Sequence, residues 1–326
     1  MSEAAAHAAL LAAGVEDEAL TPRHGWSNEA WLGVRHVARL SNGRFVGSFA
    51  HEATVVAALA DGAVPHAEVV GHGLRPDGPG EWIVSKRRPG VTLADAWPGA
   101  DPSARARMGR SLGRAMCALH ELVPHPAAPS CWVDALQPGR LHDAYHPPPG
   151  LGPAMVAEAA NLPGADLAIA DALASMFADR MSLFAGDELV FAHLDVHGHN
   201  VLVDGREVTA LLDWELAHPA SPDLELDMLL RWCAAPVEIN RDPGAIEVLL
   251  PQDLRGLVDD AASAYPGLVA APHLVERLEV YDAHWHLVQI ICLHALGDGN
   301  PATTSERWRM LGVVVEGRSH VRSFGL

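Results

Sequence analysis

The spacing of apolar residues changes period several times along the chain, and each change marks an element. Residues 1–20 read as a short helix closing on the acidic run Glu16-Asp17-Glu18, to which the sequence assigns no role. Residues 23–49 set aromatic and β-branched side chains around a Ser41-Asn42-Gly43 turn, the pattern of two or three strands. The stretch HEATVVAALA that begins at His51 is helical, and Val69-Val70 and Trp82 to Ser85 read as the last strands of a small antiparallel sheet. Between Asp101 and Leu122, Met108, Leu112, Met116 and Leu119 recur at helical spacing and predict a core helix, with His120 as a satisfied core histidine. Pro124 to Pro149 holds too much proline for a long helix or a central strand. Its histidines, among them His125, His142 and His146, have no metal-ligand spacing. Helical pattern returns over 153–185, broken at Pro163-Gly164, and leads to a strand at Leu189-Val190-Phe191. The last hundred residues predict helices over about Pro251–Tyr265, His273–Ala295 and Thr303–Val315.

One region breaks this monotony. The apolar runs Val201-Leu202-Val203 and Val208 to Leu212 flank Asp204-Gly205, which predicts a β-hairpin. A hairpin returns the chain to its start, so Asp195 and Asn200 ahead of it can meet Asp213 at its far end. Such a group suits phosphoryl transfer. Mg²⁺ keeps much of its water shell and takes few protein oxygens, for which Asn200 and Asp213 are suitable. A further carboxylate, Asp195, can orient an attacking hydroxyl and receive its proton. The plainer alternative is a charged hairpin with scattered histidines on a solvated face.

His193-x-Asp195 followed by Asn200, with Asp213 thirteen residues later, resembles the catalytic and metal loops of protein kinases. The Asp213-Trp214 pair and the His197-x-x-Asn200 ending are more similar to the aminoglycoside phosphotransferase family of small-molecule kinases. The resemblance covers most of residues 20–235. It implies an α+β, bilobal protein-kinase-like fold: residues 1–88 as a nucleotide-covering lobe with an antiparallel sheet and a helix, and 89–326 as a larger, mainly helical catalytic and substrate-binding lobe. Gly25-Trp26-Ser27-Asn28 resembles the abbreviated glycine loop of antibiotic kinases, which places Ser27 and Asn28 on the nucleotide. The family's strand lysine is replaced by Arg39, for which Glu52 is the natural helix partner, and arginine offers a planar fork where lysine offers a point charge. Ser85 and Arg87 fall at the hinge that would face the purine, although the run Lys86-Arg87-Arg88 also suits a cap on the lobe junction. His193 and Asp227 are expected to support the catalytic loop, with Glu225 as rival to Asp227. Asp282 and His286 share a helix face with Gln289 and are expected to line the acceptor pocket, or else a solvated surface. Segment 124–149 would be a lid over the acceptor.

Composition narrows the partners. The chain has 326 residues, 49% of them apolar, enough for one large domain or two lobes. Cys117, Cys131, Cys233 and Cys292 show neither CxxC pairing nor metal-ligand spacing, as in a reducing cytosol. With no leader pattern and no bilayer-length apolar run, a cytoplasmic protein is expected. A net charge of −18, with Lys86 the only lysine, argues against nucleic-acid and anionic-membrane partners and is compatible with a cationic substrate or with solubility alone.

The expected activity is transfer of the γ-phosphoryl group of ATP or GTP, with Mg²⁺, to a hydroxyl of a small molecule. An antibiotic is favoured, an aminoglycoside or basic peptide ahead of a macrolide or nucleoside, with resistance as the outcome. Exposed ion pairs contribute only about 0.2–1 kcal/mol each, whereas micromolar binding needs about −8 kcal/mol, so charge alone does not choose the ligand. A metabolic kinase for a sugar or amino alcohol, and a catalytically silent kinase-like binding module, are the other two readings.

Overall fold

The computed structural model describes residues 3–24, 28–41, 48–60, 62–122, 148–236, 249, 251–295 and 301–326. Its helices, in chain order, are α1 (Glu3–Ala12), α2 (Ser48–Leu59), α3 (Leu93–Ala96), α4 (Pro102–His120), α5 (Gly152–Ala160), α6 (Leu167–Arg180), α7 (Pro222–Ala234), α8 (Pro251–Ala264), α9 (Leu274–Ala295) and α10 (Pro301–Val315). Its strands are β1 (Thr21–His24), β2 (Asn28–Leu32), β3 (His36–Ser41), β4 (Val69–Leu74), β5 (Glu81–Lys86), β6 (Val91–Thr92), β7 (Val190–Ala192), β8 (Val201–Asp204), β9 (Glu207–Leu211) and β10 (His218–Ala220). By contacts the chain divides into one unit of Met1–Cys131, Val190–Pro219 and Trp232–Pro266 and another of Trp132–Leu189, Ala220–Arg231 and Gly267–Leu326.

In the first unit, β1 to β5 form an antiparallel sheet in the order β1-β2-β3-β5-β4. Side chains alternate across a strand, and the two faces are covered by different helices. Ala38, Leu40, Trp82 and Val84 pack with Trp31 against Ala6, Ala9 and Leu10 of α1. Ile83 on the opposite face packs with Phe49 and Ala53 of α2. Arg39 lies between Ala38 and Leu40 and opposite Ile83 in register, so the same alternation turns it towards α2. The acidic run after α1 clasps this sheet: Glu18 accepts the backbone N–H groups of Val34, Arg35 and His36 at 2.7, 2.9 and 3.0 Å, capping the β2–β3 turn. Burial opposes ionisation there, yet these amides and His36 hold the Glu18 carboxyl below its usual range.

The hairpin of β8 and β9 joins β6 in a second, three-stranded sheet. Asp204 pairs with Glu207, so the turn is the two-residue loop Gly205-Arg206, and Gly205 takes φ +63°, a left-handed value open to glycine at no steric cost. Asp101 caps α4 by accepting the Ala104 N–H at 2.8 Å, with Pro102 starting the helix. Met108, Leu112, Met116 and Leu119 are all buried, and His120 Nδ1 meets the Tyr265 hydroxyl at 2.9 Å.

The second unit is helical among its described residues. Met155 of α5, Leu173 and Phe177 of α6, Val280 and Leu287 of α9, and Trp308 and Leu311 of α10 form its core. Its buried charges are organised around arginines. Arg277 of α9 donates from Nε and Nη2 to Asp223 at 2.7 and 2.9 Å and from Nη1 and Nη2 to Asp187 at 3.0 and 2.6 Å, and lies 4.4 Å above the Phe184 ring. Glu279 takes Arg180 at 2.8 Å and Arg322 at 2.6 Å. Asp282 accepts Arg231 Nη1 at 2.9 Å and Ser319 Oγ at 2.7 Å, with His286 and His320 at 3.4 and 3.3 Å. Burial raises the Asp282 carboxyl, but His320 and Arg231 outweigh it and hold the group well below the usual range.

These contacts take in three residues singled out in the sequence. Asp282 and His286 are 1% and 3% exposed, and their shared helix face joins a buried ion network with Arg231. Asp227 directs its carboxylate to Arg231, one turn along the same helix, at 3.1 and 3.0 Å. Its rival Glu225 is fully buried.

His284 is a different kind of buried group. It stacks on Phe177 at 5.0 Å, neither ring nitrogen finds a hydrogen-bond partner among the described residues, and burial alone pushes its pKa down to about 3. The unfolded chain therefore takes up a proton below pH 6.5 that the folded protein refuses until about pH 3, so stability is lost as pH falls through that window. His284→Phe is expected to raise the urea midpoint at pH 7. It should also flatten the acid limb below pH 6.5, where each pH unit costs wild type about 1.4 kcal/mol. Parallel acid limbs in the two proteins would refute the assignment.

Among the described residues no helix is long and apolar enough to cross a membrane, and Cys117, Cys233 and Cys292 are free thiols.

Candidate active site

The loop between β7 and β8 is held in shape by its own histidine. His193 Nε2 donates to the Leu212 carbonyl at 2.9 Å while its Nδ1 accepts the Asp195 N–H at 3.2 Å, which fixes one tautomer. The ring also leans on Trp214, centroids 4.5 Å apart. Between His193 and Asp195, Leu194 adopts φ +66° although it is a bulky residue. A left-handed leucine costs about 1–2 kcal/mol, a strain that persists where surrounding contacts impose it. Further along, Gly198 lies so close to Trp232 that a Cβ there would sit 2.1 Å from the ring. Any side chain at 198 would push the loop off that tryptophan.

The loop delivers Asp195 to Asn200. The Asn200 side-chain amide donates to Asp195 Oδ2 at 2.7 Å and to the Asp195 carbonyl at 3.1 Å. With both amide hydrogens so placed, Asn200 Oδ1 is left as the oxygen able to bind a cation. Asp195 Oδ1 lies 3.6 Å from His197 Nε2. Across the hairpin, the Leu212 N–H donates to the Asn200 carbonyl at 2.8 Å, bringing Asp213 beside the loop. Asp213 itself takes a left-handed conformation, φ 67° and ψ 64°, and leads into a 3₁₀ turn over Trp214–Leu216.

Arg39 closes the group. Its Nη1 donates to both Glu52 oxygens at 2.7 and 2.8 Å, its Nη2 donates to Asp213 Oδ1 at 2.5 Å, and its guanidinium lies 4.9 Å from the Phe49 ring centroid. Glu215, which spacing arguments passed over, adds a third carboxylate acting on this arginine. Burial, opposed by Arg39 and reinforced by Asp213, leaves Glu52 raised to about 7. Burial, then Asp213, raise Glu215 to about 8. One guanidinium thus faces three carboxyl groups, two of which are pushed towards their protonated form.

The remaining candidates separate. Asn28 begins β2, and its buried side-chain nitrogen finds no hydrogen-bond partner among the described residues. Ser85 sits opposite Val37 in the sheet. Arg87 Nη1 donates to the Gly33 carbonyl at 2.6 Å, Arg88 Nε to the Thr209 carbonyl at 3.3 Å, and Lys86 pairs with Glu68, so this cationic run holds protein groups together. Ser27, the Ser41-Asn42-Gly43 turn beyond Ser41, Cys131 and nearly all of the Pro- and His-rich segment lie outside the described residues.

Residues 18–257 match the model of the phosphotransferase enzyme family named APH. The chain belongs to that family and is a phosphotransferase. Solved structures with the same fold include the GDP complex of aminoglycoside 2'-phosphotransferase-IIIa, with a TM-score of 0.66 and 16% identity over 93% of this chain and 94% of that one. A ternary complex of aminoglycoside phosphotransferase APH(4)-Ia with ADP and hygromycin B gives 0.61 and 18% over 94% and 96%. A choline/ethanolamine kinase family protein from Mesorhizobium loti gives 0.59 and 16% over 94% and 92%. The α+β architecture, with its N-terminal antiparallel sheet, is the one shared with these kinases.

Proposed function

We propose that the protein moves the γ-phosphoryl group of ATP or GTP to a hydroxyl of a small-molecule antibiotic, an aminoglycoside or basic peptide antibiotic first, and so confers resistance. The observation that carries this reading is the contact chain Asp195–Asn200–Leu212/Asp213–Arg39–Glu52, assembled from a loop, a hairpin end, a strand and a helix. Asp195 would accept the hydrogen bond of the acceptor hydroxyl and then its proton. Asn200 would keep that carboxylate in one orientation, and His193 would keep the loop in place. Asn200 Oδ1 and Asp213 supply the hard oxygen donors Mg²⁺ takes in small number, the rest coming from water and phosphate. When bound, Mg²⁺ would neutralise charge on the transferred group. Arg39, aligned by Glu52, would meet the phosphates, with Ser27, Asn28, Ser85 and Arg87 on the nucleotide's side. We assign residues 1–88 to covering the nucleotide and 89–326 to catalysis and acceptor binding.

Nucleotide complexes among the neighbours support a nucleotide donor, and the kanamycin and hygromycin B complexes support an aminoglycoside acceptor. The choline/ethanolamine kinase relative favours a second reading, a metabolic kinase for a small amino alcohol. The test is mass spectrometry of aminoglycoside, peptide, macrolide and nucleoside antibiotics, with choline and ethanolamine alongside, after incubation with the protein, Mg²⁺ and ATP or GTP. One added phosphate on an antibiotic is expected. Phosphate on an amino alcohol alone would replace the antibiotic reading by the metabolic one.

A further inference from the structure

Asn200 engages Asp195 Oδ2 at 2.7 Å, which leaves Oδ1 as the oxygen for an acceptor hydroxyl. Beside Oδ1, at 3.6 Å, stands His197 Nε2. The proton on that ring can be placed. The His199 N–H donates to His197 Nδ1 at 3.2 Å, so in the neutral imidazole Nδ1 is the acceptor and Nε2 carries the hydrogen. Towards Asp195, His197 is therefore a donor and not a second base. The Asn200 N–H, donating to the His197 carbonyl at 2.9 Å, and the close seat of Gly198 on Trp232 hold the turn that carries the ring. Both side chains keep some contact with solvent, 13% for His197 and 20% for Asp195.

An acceptor oxygen and a donor nitrogen 3.6 Å apart are too distant to bond each other well, but they match two adjacent substrate oxygens. In a gauche vicinal diol the oxygens stand about one hydrogen-bond length apart. One can donate to Oδ1 while its neighbour accepts from Nε2–H, and all four atoms make ordinary contacts. A neighbouring ammonium fails at the same place, because it has no lone pair and sets donor against donor. We infer that His197 determines acceptor specificity by reading an oxygen on the carbon next to the reacting hydroxyl. The acceptor is then a sugar or polyol, and simple amino alcohols such as choline and ethanolamine are excluded. The inference rests on the phosphotransfer reading and narrows its acceptor. The reacting hydroxyl gives its proton to Asp195 Oδ1 as the new O–P bond forms and the bond to the nucleoside diphosphate breaks. His197 keeps its proton throughout.

Steady-state kinetics with Mg²⁺ and ATP or GTP tests this on the antibiotic that gains phosphate, kanamycin and hygromycin B being tried first, with choline and ethanolamine as the contrasting probes. Wild type should prefer the antibiotic by at least about a hundredfold in kcat/KM, the scale on which a site built to hydrogen-bond one oxygen rejects a compound lacking it. His197→Phe should lose about tenfold on the antibiotic, through KM more than kcat, with nucleotide affinity kept within about twofold. His197→Gln, whose side-chain amide can present an N–H near the place of Nε2, should recover most of that loss, and it serves as the second variant if His197→Phe fails to fold. Either variant acting on the antibiotic with a donor removed and kcat/KM within about twofold of wild type would overturn the proposal. So would a loss confined to kcat that glutamine does not recover, or choline or ethanolamine used as well as the antibiotic by wild type. Each of those results leaves phosphotransfer standing. No turnover by wild type with any antibiotic or amino alcohol is a different outcome, and it would sink the phosphotransfer reading and this inference with it.

Discussion

Asp195→Ala is expected to reduce turnover about 10³-fold, within the 10²–10⁴ range of a lost general base, while nucleotide affinity stays within about twofold. The asymmetry follows from where Asp195 sits. Its side chain contacts Asn200 and approaches His197, whereas the contacts expected to meet phosphate run through Arg39 and Glu52. Asp195→Asn should lose a similar factor, because an amide fills the same space but cannot take the proton. Steady-state kinetics on the phosphorylated acceptor, with nucleotide binding measured separately, makes the comparison. Retention of more than a tenth of the wild-type rate by both variants would remove Asp195 from the chemistry. Loss of nucleotide binding together with turnover would mean instead that the loop had collapsed.

Arg277→Met should be the most destabilising single change in the second unit. The arginine is 3% exposed and carries two carboxylates, one of them on Asp223 at 1% exposure. Taking away one partner of a buried pair leaves charge with neither water nor counter-ion, at a cost of about 3–5 kcal/mol. Methionine keeps most of the volume, so the loss would report charge and hydrogen bonding more than packing. Arg277→Lys should recover only part of it, since an ammonium cannot face Asp187 and Asp223 with paired donors. Urea unfolding followed by tryptophan fluorescence gives the comparison, and a midpoint for Arg277→Met within error of wild type would refute the account.

Local pattern made much of the fold legible. The core stripe of α4, the hairpin of β8 and β9, and the C-terminal helices rest on periodicities of 3.6 and 2, which survive in a single sequence. The juxtaposition of Asp195, Asn200 and Asp213 was legible where spacing carries it, because a short loop and a hairpin bring them together with no help from distant chain. Glu215 was missed because its role depends on burial beside Arg39, and burial has no signature in spacing. The burial of Asp282 and His286 was illegible for the same reason. A polar face on a helix reads as a pocket wall or a solvent face until the arginine that covers it, Arg231, is seen to come from another helix. Glu18 gives the converse lesson, part of an acidic run with no role legible in the sequence that caps a hairpin turn.

The partners in the Arg39 bridge reach the growing chain at very different times. Glu52 follows Arg39 by 13 residues, whereas Asp213 follows by 174. At a synthesis rate of roughly 5–20 residues per second, the second interval is about 9–35 s on the ribosome. Throughout that interval the strand and helix that hold Arg39 can pair with each other alone. Asp213, with Glu215 two residues behind it, is made only after that interval, so a nascent chain stalled before the β8–β9 hairpin would carry one of the three carboxyl groups and none of the chemistry.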